Sequence, residues 1–343
     1  MLQMAGKWVR RIGAGLAAYT LGVILLVASS SAVFHFVLAN PAKVKGILSS
    51  SGVYDSIVET TAESLSEKPE KPSEKSGELP LSDPGVKKAL NDAFPPKVLQ
   101  ANSEELIDGL YGWLDGKTKS PVFLLDFTKS KNTLAKEVGS YVEKRSAKLP
   151  PCGFSDIQTT VDPFEMKCLP PGITPAQIGA KATGDLRSDK NFLPNPKITP
   201  NNLFGEGSRK DSPFASNDAP SQFQLMKNLI WMLLPVAVLL GAAVILLSAT
   251  KPAGIRKVAK SLLVVGVFVA ITPFLLNFFS SRLANSSLLG NSLSSDIILP
   301  IIREFISAVS LVYYVFGISC ILAAAAGFVI THRMSDGQKS SRP

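Results

Sequence analysis

Residues 229–248 read LIWMLLPVAVLLGAAVILLS, twenty positions without an acidic, basic or amide side chain. A helix of this length spans about 30 Å, which is the thickness of the hydrocarbon core of a bilayer. A buried helix of this length in a globular protein normally carries a polar stripe, and this stretch has none. It therefore predicts a transmembrane helix, and the number of such stretches decides the fold.

Three further stretches have the same character. Residues 13–38, 261–279 and 305–330 are long and apolar, and none carries an acidic or basic side chain in its interior. The sequence therefore predicts a mainly α fold with a four-helix transmembrane bundle. A mostly helical, disulfide-containing extracytoplasmic domain, residues 39–228, is predicted to be inserted between spans 1 and 2.

The charge distribution predicts the orientation. The chain has a formal net charge of +9, yet residues 39–228 contain 24 basic and 24 acidic side chains, and residues 280–304 are also neutral. The whole excess lies in three short segments, 1–12, 249–260 and 331–343. Short basic segments stay in the cytoplasm, so both termini are predicted to lie there. Basic residues beside a membrane meet anionic lipid headgroups, so the bilayer rather than nucleic acid is the predicted partner.

The first apolar stretch has an alternative interpretation as a cleaved signal peptide. Lys7, Arg10 and Arg11 form a basic segment before it, and Val37-Leu38-Ala39 resembles a cleavage site. The stretch has about 25 apolar residues, however, whereas the apolar region of a signal peptide has 7–15. An uncleaved anchor is favoured, and either interpretation leaves the large domain outside the cytoplasm.

Two of the three cysteines lie in the large domain. Cys152 follows Leu149-Pro150-Pro151 and Cys168 precedes Leu169-Pro170-Pro171, which is nearly a mirror image. An even number of cysteines in an oxidising compartment favours a Cys152–Cys168 disulfide. A metal site or free thiols are the alternatives, although the chain has no C-x-x-C pair. Cys320 lies inside the fourth span and is interpreted as packing.

The expected elements of the large domain follow from periodicity and capping residues. Asp83 and Thr174 precede prolines at a first helical position, and Asn102 is expected to cap a further helix. Residues 67–84 and 191–218 are rich in Pro, Ser, Asn and charged residues and are expected to be flexible. The expected helices are 41–66 with a break at Ser51-Gly52, 83–94, 102–115, 134–148 and 175–186, with a short extended segment at 122–125.

The run Glu105-Leu106-Ile107-Asp108-Gly109-Leu110-Tyr111, with Trp113-Leu114 and the later Pro-Pro-Cys segment, carries a resemblance. It is similar to the helical extracytoplasmic domains that lie between the first two spans of uncharacterised bacterial multi-pass membrane proteins. The resemblance covers roughly residues 40–170 and the four spans. It implies a bacterial envelope setting and no established activity.

Catalytic motifs are absent from the sequence. It contains no G-x-S-x-G elbow, no complete G-x-x-x-x-G-K-[ST] phosphate loop and no H-E-x-x-H. The two histidines, His35 and His332, lie at membrane edges, so the large domain has no Ser–His or Cys–His pair. We therefore predict no catalytic, cofactor-binding or metal-ligating residue. The carboxylates weighed as an acid–base pair, and interpreted as solvated, are Glu104, Asp108, Asp115 and Asp126.

Three hypotheses follow for the function. The first is a non-enzymatic, multi-pass protein of the plasma membrane and cell envelope, whose outer domain is a binding, scaffold or sensory module with a protein or lipid partner. The second is a component of a transporter or channel, although the spans lack the mid-membrane ionisable residues that ion-coupled carriers use. The third is a membrane-bound enzyme that uses clustered carboxylates. Small residues in span 4, expected to allow close helix packing, are Gly317, Cys320, Ala324 and Gly327.

Overall fold

The secondary structure is mainly helical, as the sequence patterns predict. A computed structural model describes residues 2–58, 60, 79–81, 83–153, 162–189, 192–204, 218–284 and 293–340. The helices of these residues include α1 (Leu2–Val33), a π-helical turn (Phe34–Leu38), α2 (Pro41–Ser50), α3 (Pro84–Ala93), α4 (Pro96–Leu114), α5 (Thr128–Ser146), α6 (Pro175–Ser188), α7 (Pro200–Phe204), α8 (Asp218–Leu247), α9 (Lys251–Ala284) and α10 (Leu293–Ser340). Two short strands, β1 (Leu125–Asp126) and β2 (Lys197–Ile198), pair antiparallel.

The chain divides into two compact units. The bundle unit comprises Met1–Ile47, Asn217–Leu289 and Ile301–Pro343, and the globular unit comprises Leu48–Ser216 and Gly290–Pro300. Within the described part of the chain, four helices are long and apolar enough to cross a membrane. They are Ile12–Leu38, Asp218–Leu247, Lys251–Phe279 and Ile297–Met334.

The helices of the bundle unit extend beyond the predicted spans. Residues 248–250 alone separate α8 from α9, so most of the predicted loop 249–260 is helical. Most of the described part of the predicted loop 280–304 and of the tail 331–343 is helical too, in α9 and α10. Ala, Leu, Lys and Arg all favour helix, and the proline at the second position of α9 needs no hydrogen-bond partner. The end of an apolar stretch therefore does not mark the end of its helix.

The bundle unit exposes many of its large apolar side chains and buries small residues where its helices meet. Ala14, Ala28 and Ala324 have no exposed surface, whereas Leu246 is 75% exposed and Val238 is 71% exposed. Helices in a bilayer gain nothing by hiding large apolar side chains from lipid, and small residues let their backbones approach. This distribution is typical of helices that are solvated by hydrocarbon.

Span 4 packs through its small residues, as predicted. A Cβ atom built on Gly317 would lie 2.9 Å from the carbonyl oxygen of Gly266, so α9 and α10 cross with their backbones in near contact. Cys320 and Ala324, on the same side of α10, are buried. The thiol of Cys320 is therefore a packing group between helices.

Three basic segments meet at one end of the bundle unit. The guanidinium of Arg10, near the start of α1, donates a hydrogen bond of 3.3 Å to the carbonyl of Leu246, near the end of α8. A Cβ atom on Gly327, towards the end of α10, would lie 3.1 Å from the Cβ of Ala259 near the start of α9. The beginning of α1, the turn between α8 and α9 and the last part of α10 therefore share one end.

The opposite end of the bundle unit carries a histidine and aromatic rings. The Nδ1–H of His35 donates to the backbone carbonyl of Lys227 at 2.7 Å, which ties the π-helical turn to α8. The His35 ring lies edge-on to Trp231, with ring centroids 5.9 Å apart. Phe34 and Phe223 form a second edge-on pair at 5.6 Å. The rings of His35 and Trp231 each have an apolar face and a polar nitrogen, which suits the boundary between lipid and water.

The globular unit has an apolar core of its own. Leu134, Val138 and Val142 form the buried side of α5, and α3 contributes Val86 and α6 contributes Ile178. Two of the three predicted caps are confirmed. Asp83 accepts a hydrogen bond from Gly85 N at 2.7 Å, and the Thr174 hydroxyl accepts from the third residue of α6 in a capping box.

One prediction for the globular unit is wrong. Asn102 does not cap a helix, because α4 already begins at Pro96 and Asn102 lies within it. Its side chain instead donates to Val98 O and accepts from Asp126 N, which secures β1. Within the segment 191–218, which is expected to be flexible, β2 and α7 are regular elements. Residues 67–78 and 205–217 fall outside the described part of the chain.

The predicted disulfide is confirmed. Cys152 and Cys168 are bonded, with their Cα atoms 4.9 Å apart. Backbone hydrogen bonds from Cys152 N to Leu169 O and from Leu169 N to Pro150 O flank it. The predicted break in the helix at Ser51-Gly52 is also present, since α2 ends at Ser50 and Gly52 adopts φ 70°.

Candidate functional site

Helices α5 and α6 of the globular unit pack antiparallel. A Cβ atom on Gly179 would lie 2.7 Å from the carbonyl oxygen of Gly139, and one on Gly139 would overlap the side chain of Thr183. The two glycines therefore let the helices approach to backbone contact. Because the pair is antiparallel, the last turn of α6 lies beside the first turns of α5.

A buried lysine fixes the end of α6 against α5. Lys131 is 8% exposed, and its ammonium donates to the carbonyl oxygens of Asp189 at 2.8 Å and Leu193 at 3.1 Å. Leu193 has a φ of 45°, in the left-handed region that few residues other than glycine adopt. Two charge-assisted hydrogen bonds thus hold this turn in place beside the first turns of α5.

The side chains beside Lys131 and the turn that it holds form an open cleft of about 530 Å³. Helix α5 supplies one wall through its exposed face, and Arg187 of α6 reaches the cleft from the other helix. The size falls within the range of 300 to 1,000 Å³ that is common for ligand sites. We call it the basic cleft, and its lining residues are Asp126, Thr128, Lys129, Asn132, Thr133, Lys136 and Arg187.

Three positive charges in the basic cleft are uncompensated. Lys129, Lys136 and Arg187 are exposed, and none forms an ion pair with a carboxylate of the described residues. The one carboxylate in the lining, Asp126, is already engaged, because Lys197 Nζ lies 3.8 Å from its Oδ2. The cleft therefore presents a net positive potential to solvent.

Local hydrogen bonding keeps Asp126 ionised. The hydroxyl of Thr128 lies beside the carboxylate, and the backbone N–H of Thr128 donates to Oδ1 at 2.9 Å. Thr128 and, to a smaller extent, Lys197 hold the pKa of Asp126 below its ordinary value. Asp126 is thus an anion with its own partners, and it does not neutralise the three cations of the basic cleft.

Three of the four carboxylates considered from sequence belong to α4 or to its end. Glu104 and Asp108 lie on α4, and Asp115 is the residue that follows its last turn, seven residues or roughly 10 Å from Asp108 along the helix axis. Glu104 accepts a hydrogen bond from the side chain of Gln100 at 2.7 Å, and Asp126 lines the basic cleft. No group of three or more His, Cys, Asp or Glu within the described ranges is placed to hold a metal ion.

Sequence reasoning missed Lys129, Lys136 and Arg187. A signal for the two lysines is present, because residues 127–136 contain three lysines and no acid within a segment of zero net charge. Nothing in the sequence links Arg187 to them. Its place depends on the crossing of α5 and α6, which only the folded chain shows.

Comparison with protein-family models, curated proteins and solved structures yields no match for the chain.

Proposed function

We propose that the chain is a non-enzymatic, multi-pass protein of the plasma membrane, in the envelope of a bacterial cell. In this proposal the globular unit is an extracytoplasmic binding module, and the four apolar helices anchor it. The observation that carries the proposal is the division of the chain into two units that expose different kinds of side chain. One unit exposes many large apolar side chains, and the other has a buried apolar core and an open polar cleft.

The location of the basic segments supports the orientation N-in and C-in. Arg10 and the helix ends beside it lie at one end of the bundle unit, and this end carries the net positive charge of the chain. Segments of this kind stay in the cytoplasm. Leu38, the last residue of the first apolar helix, and Asp218, the first residue of the second, belong to the opposite end of the bundle unit. The Cys152–Cys168 disulfide suits the oxidising compartment that this orientation gives the globular unit.

The chemistry of the globular unit supports binding rather than catalysis. Both histidines of the chain, His35 and His332, belong to the bundle unit. The lining of the basic cleft offers ammonium, guanidinium, hydroxyl and amide groups, which are hydrogen-bond donors for an anion. That lining contains no histidine and no cysteine, so it offers no Ser–His or Cys–His pair.

A native mass spectrum tests the binding module. The full chain is released from its own membrane in a mild detergent, and the mass of the intact complex is recorded. We expect a bound ligand or partner protein in stoichiometric amount, which limited proteolysis then assigns to the globular unit. A bare chain, or a partner bound to the bundle unit alone, would contradict the proposal.

The transporter or channel component stays a prediction. Pro235 and Pro273 lie inside α8 and α9, and prolines in spans permit kinks. Solute flux into proteoliposomes that contain the purified chain would favour this alternative. Flux equal to that of protein-free liposomes would favour the binding module.

A further inference from the structure

We propose that the basic cleft binds a ligand that carries at least two phosphate groups. This inference rests on the proposed binding function and names the chemistry of its ligand. The source of the phosphates is either a soluble oligophosphate or the headgroups of a lipid surface. The test below separates the two.

The local charge points to an anion. Residues 39–228 are neutral as a whole, so the three uncompensated cations of the basic cleft are a local concentration and not part of a general excess. Like charges on neighbouring helices repel one another. Lys136 and Arg187 nevertheless line the same cleft from two helices that Gly139 and Gly179 hold in contact. An anion in the cleft relieves this repulsion.

The donor types point to phosphate. Arg offers a planar fork of N–H groups that matches phosphate oxygens, and Lys acts as a point charge beside them. The hydroxyl of Thr133 and the side-chain amide of Asn132 add neutral donors to the same lining. A phosphate group, with up to two negative charges and several acceptor oxygens, can use more of these donors than a single carboxylate.

The dimensions of the cleft point to more than one phosphate. Lys129 and Lys136 are seven residues apart on α5, so their Cα atoms are separated by about 10 Å. The cleft volume of about 530 Å³ is several times that of one phosphate group. A ligand whose phosphates are spaced along a chain fits this length better than an isolated ion.

The test uses the full chain in nanodiscs of phosphatidylcholine, with tripolyphosphate as the probe and isothermal titration calorimetry as the readout. We expect tripolyphosphate to bind more tightly than inorganic phosphate and more tightly than citrate, which carries three carboxylates. Each of Lys129→Gln, Lys136→Gln and Arg187→Gln should raise Kd about fivefold, since a surface charge contributes on the order of 1 kcal/mol. Binding should weaken as salt is added.

Lys144→Gln is the matched control, because Lys144 is exposed on the same helix and lies outside the cleft. It should leave Kd unchanged. An equal loss in this control would show general charge attraction and would overturn the site. Equal affinity for citrate would overturn the assignment to phosphate. Thermal unfolding of each variant, expected to match the wild type, excludes loss of the fold as the cause.

A second arm identifies the source of the phosphates. Nanodiscs that contain the full chain are sedimented with vesicles of phosphatidylglycerol or of phosphatidylcholine. Sedimentation with phosphatidylglycerol alone, lost in the three cleft variants, indicates a lipid surface. Tripolyphosphate binding without sedimentation indicates a soluble ligand. If neither probe binds, the phosphate inference fails, whereas the proposed binding module fails only if native mass spectrometry shows no ligand on the globular unit.

Discussion

The bundle unit exposes far more of its large apolar residues than the globular unit does. In the bundle unit, alanines such as Ala14 and Ala28 are buried and leucines such as Leu246 are exposed. In the globular unit, Leu134 and Val142 are buried without exposed surface. Both units are built from helices, so the difference does not come from secondary structure.

The difference shows which solvent each unit is built for. The globular unit is stabilised by removing apolar surface from water, which contributes roughly 25 cal/mol for each Å². The bundle unit gains little in this way, because lipid tails are as apolar as its side chains, and it depends instead on close contacts such as that between Gly266 and Gly317. Mutations that remove apolar groups should therefore act unequally on the two units.

The largest expected effect is that of Leu134→Ala. Leu134 has no exposed surface in the core of the globular unit, so truncation should lower the free energy of unfolding by about 3 to 4 kcal/mol. Leu246→Ala, at a site that is 75% exposed in the bundle unit, should change the stability in lipid by less than about 0.5 kcal/mol. Urea titration in detergent, followed by the fluorescence of the buried Trp113, measures the stability loss of Leu134→Ala. Thermal unfolding in nanodiscs measures that of Leu246→Ala, and equal stability losses in the two variants would refute the comparison.

The sequence predicts more about the bundle unit than about the globular unit. Apolar stretches of some twenty residues have one stable arrangement in a bilayer, and so residues 229–248 and the other three predict spans directly. The globular unit needs contacts between distant residues. Asn102 illustrates the difficulty, because its side chain serves β1, 24 residues away, and not the start of a helix.

The disulfide should have the next largest effect. A double substitution, Cys152→Ser with Cys168→Ser, should lower the stability of the globular unit by about 3 kcal/mol, because the bond closes a loop with a sequence separation of 16. The helix content of the bundle unit should stay unchanged. Cys320→Ser is the control for loss of a thiol. The same urea titration measures the change, and an unaltered midpoint would show that the bond is not a stabilising element.

Asp83 should have a smaller effect, because it combines a helix cap with an ion pair. Its carboxylate accepts from Gly85 N and from the Arg145 guanidinium at 3.1 Å, and the Tyr141 hydroxyl donates to it at 3.1 Å. Asp83→Ala should cost about 2 kcal/mol, from roughly 1 kcal/mol each for the cap and the partly buried pair. Asp83→Asn keeps the cap and should cost about half as much. Equal costs for the two variants would show that the charge contributes nothing.

The smallest expected effect is a pH dependence at Asp126. The folded chain holds the pKa of this carboxyl below its unfolded value, so the unfolded state takes up a proton first as the pH falls. The stabilisation is present above the ordinary Asp range and is lost as the pH falls through the lowered pKa. Asp126→Asn should flatten this part of the stability profile between about pH 5 and 3. A wild-type profile that the substitution leaves unchanged would contradict the local hydrogen bonding.

The basic cleft was beyond sequence reasoning for a physical reason. Its lysines are typical of a solvated helix face, and their meaning changes only when Arg187 approaches from α6. That approach depends on Gly139, Gly179 and the buried ammonium of Lys131, none of which has a local signature. The disulfide was predictable because two cysteines in matching Pro-Pro settings leave one pairing.

The side of the membrane that holds the globular unit is the central claim, and thiol labelling tests it most directly. Intact cells that express the full chain with Cys320→Ser are treated with a membrane-impermeant maleimide, with and without prior treatment by an impermeant reductant. The orientation proposed for the chain predicts labelling of Cys152 and Cys168 in intact cells only after reduction. Labelling that appears only after lysis would place the globular unit in the cytoplasm and contradict the account.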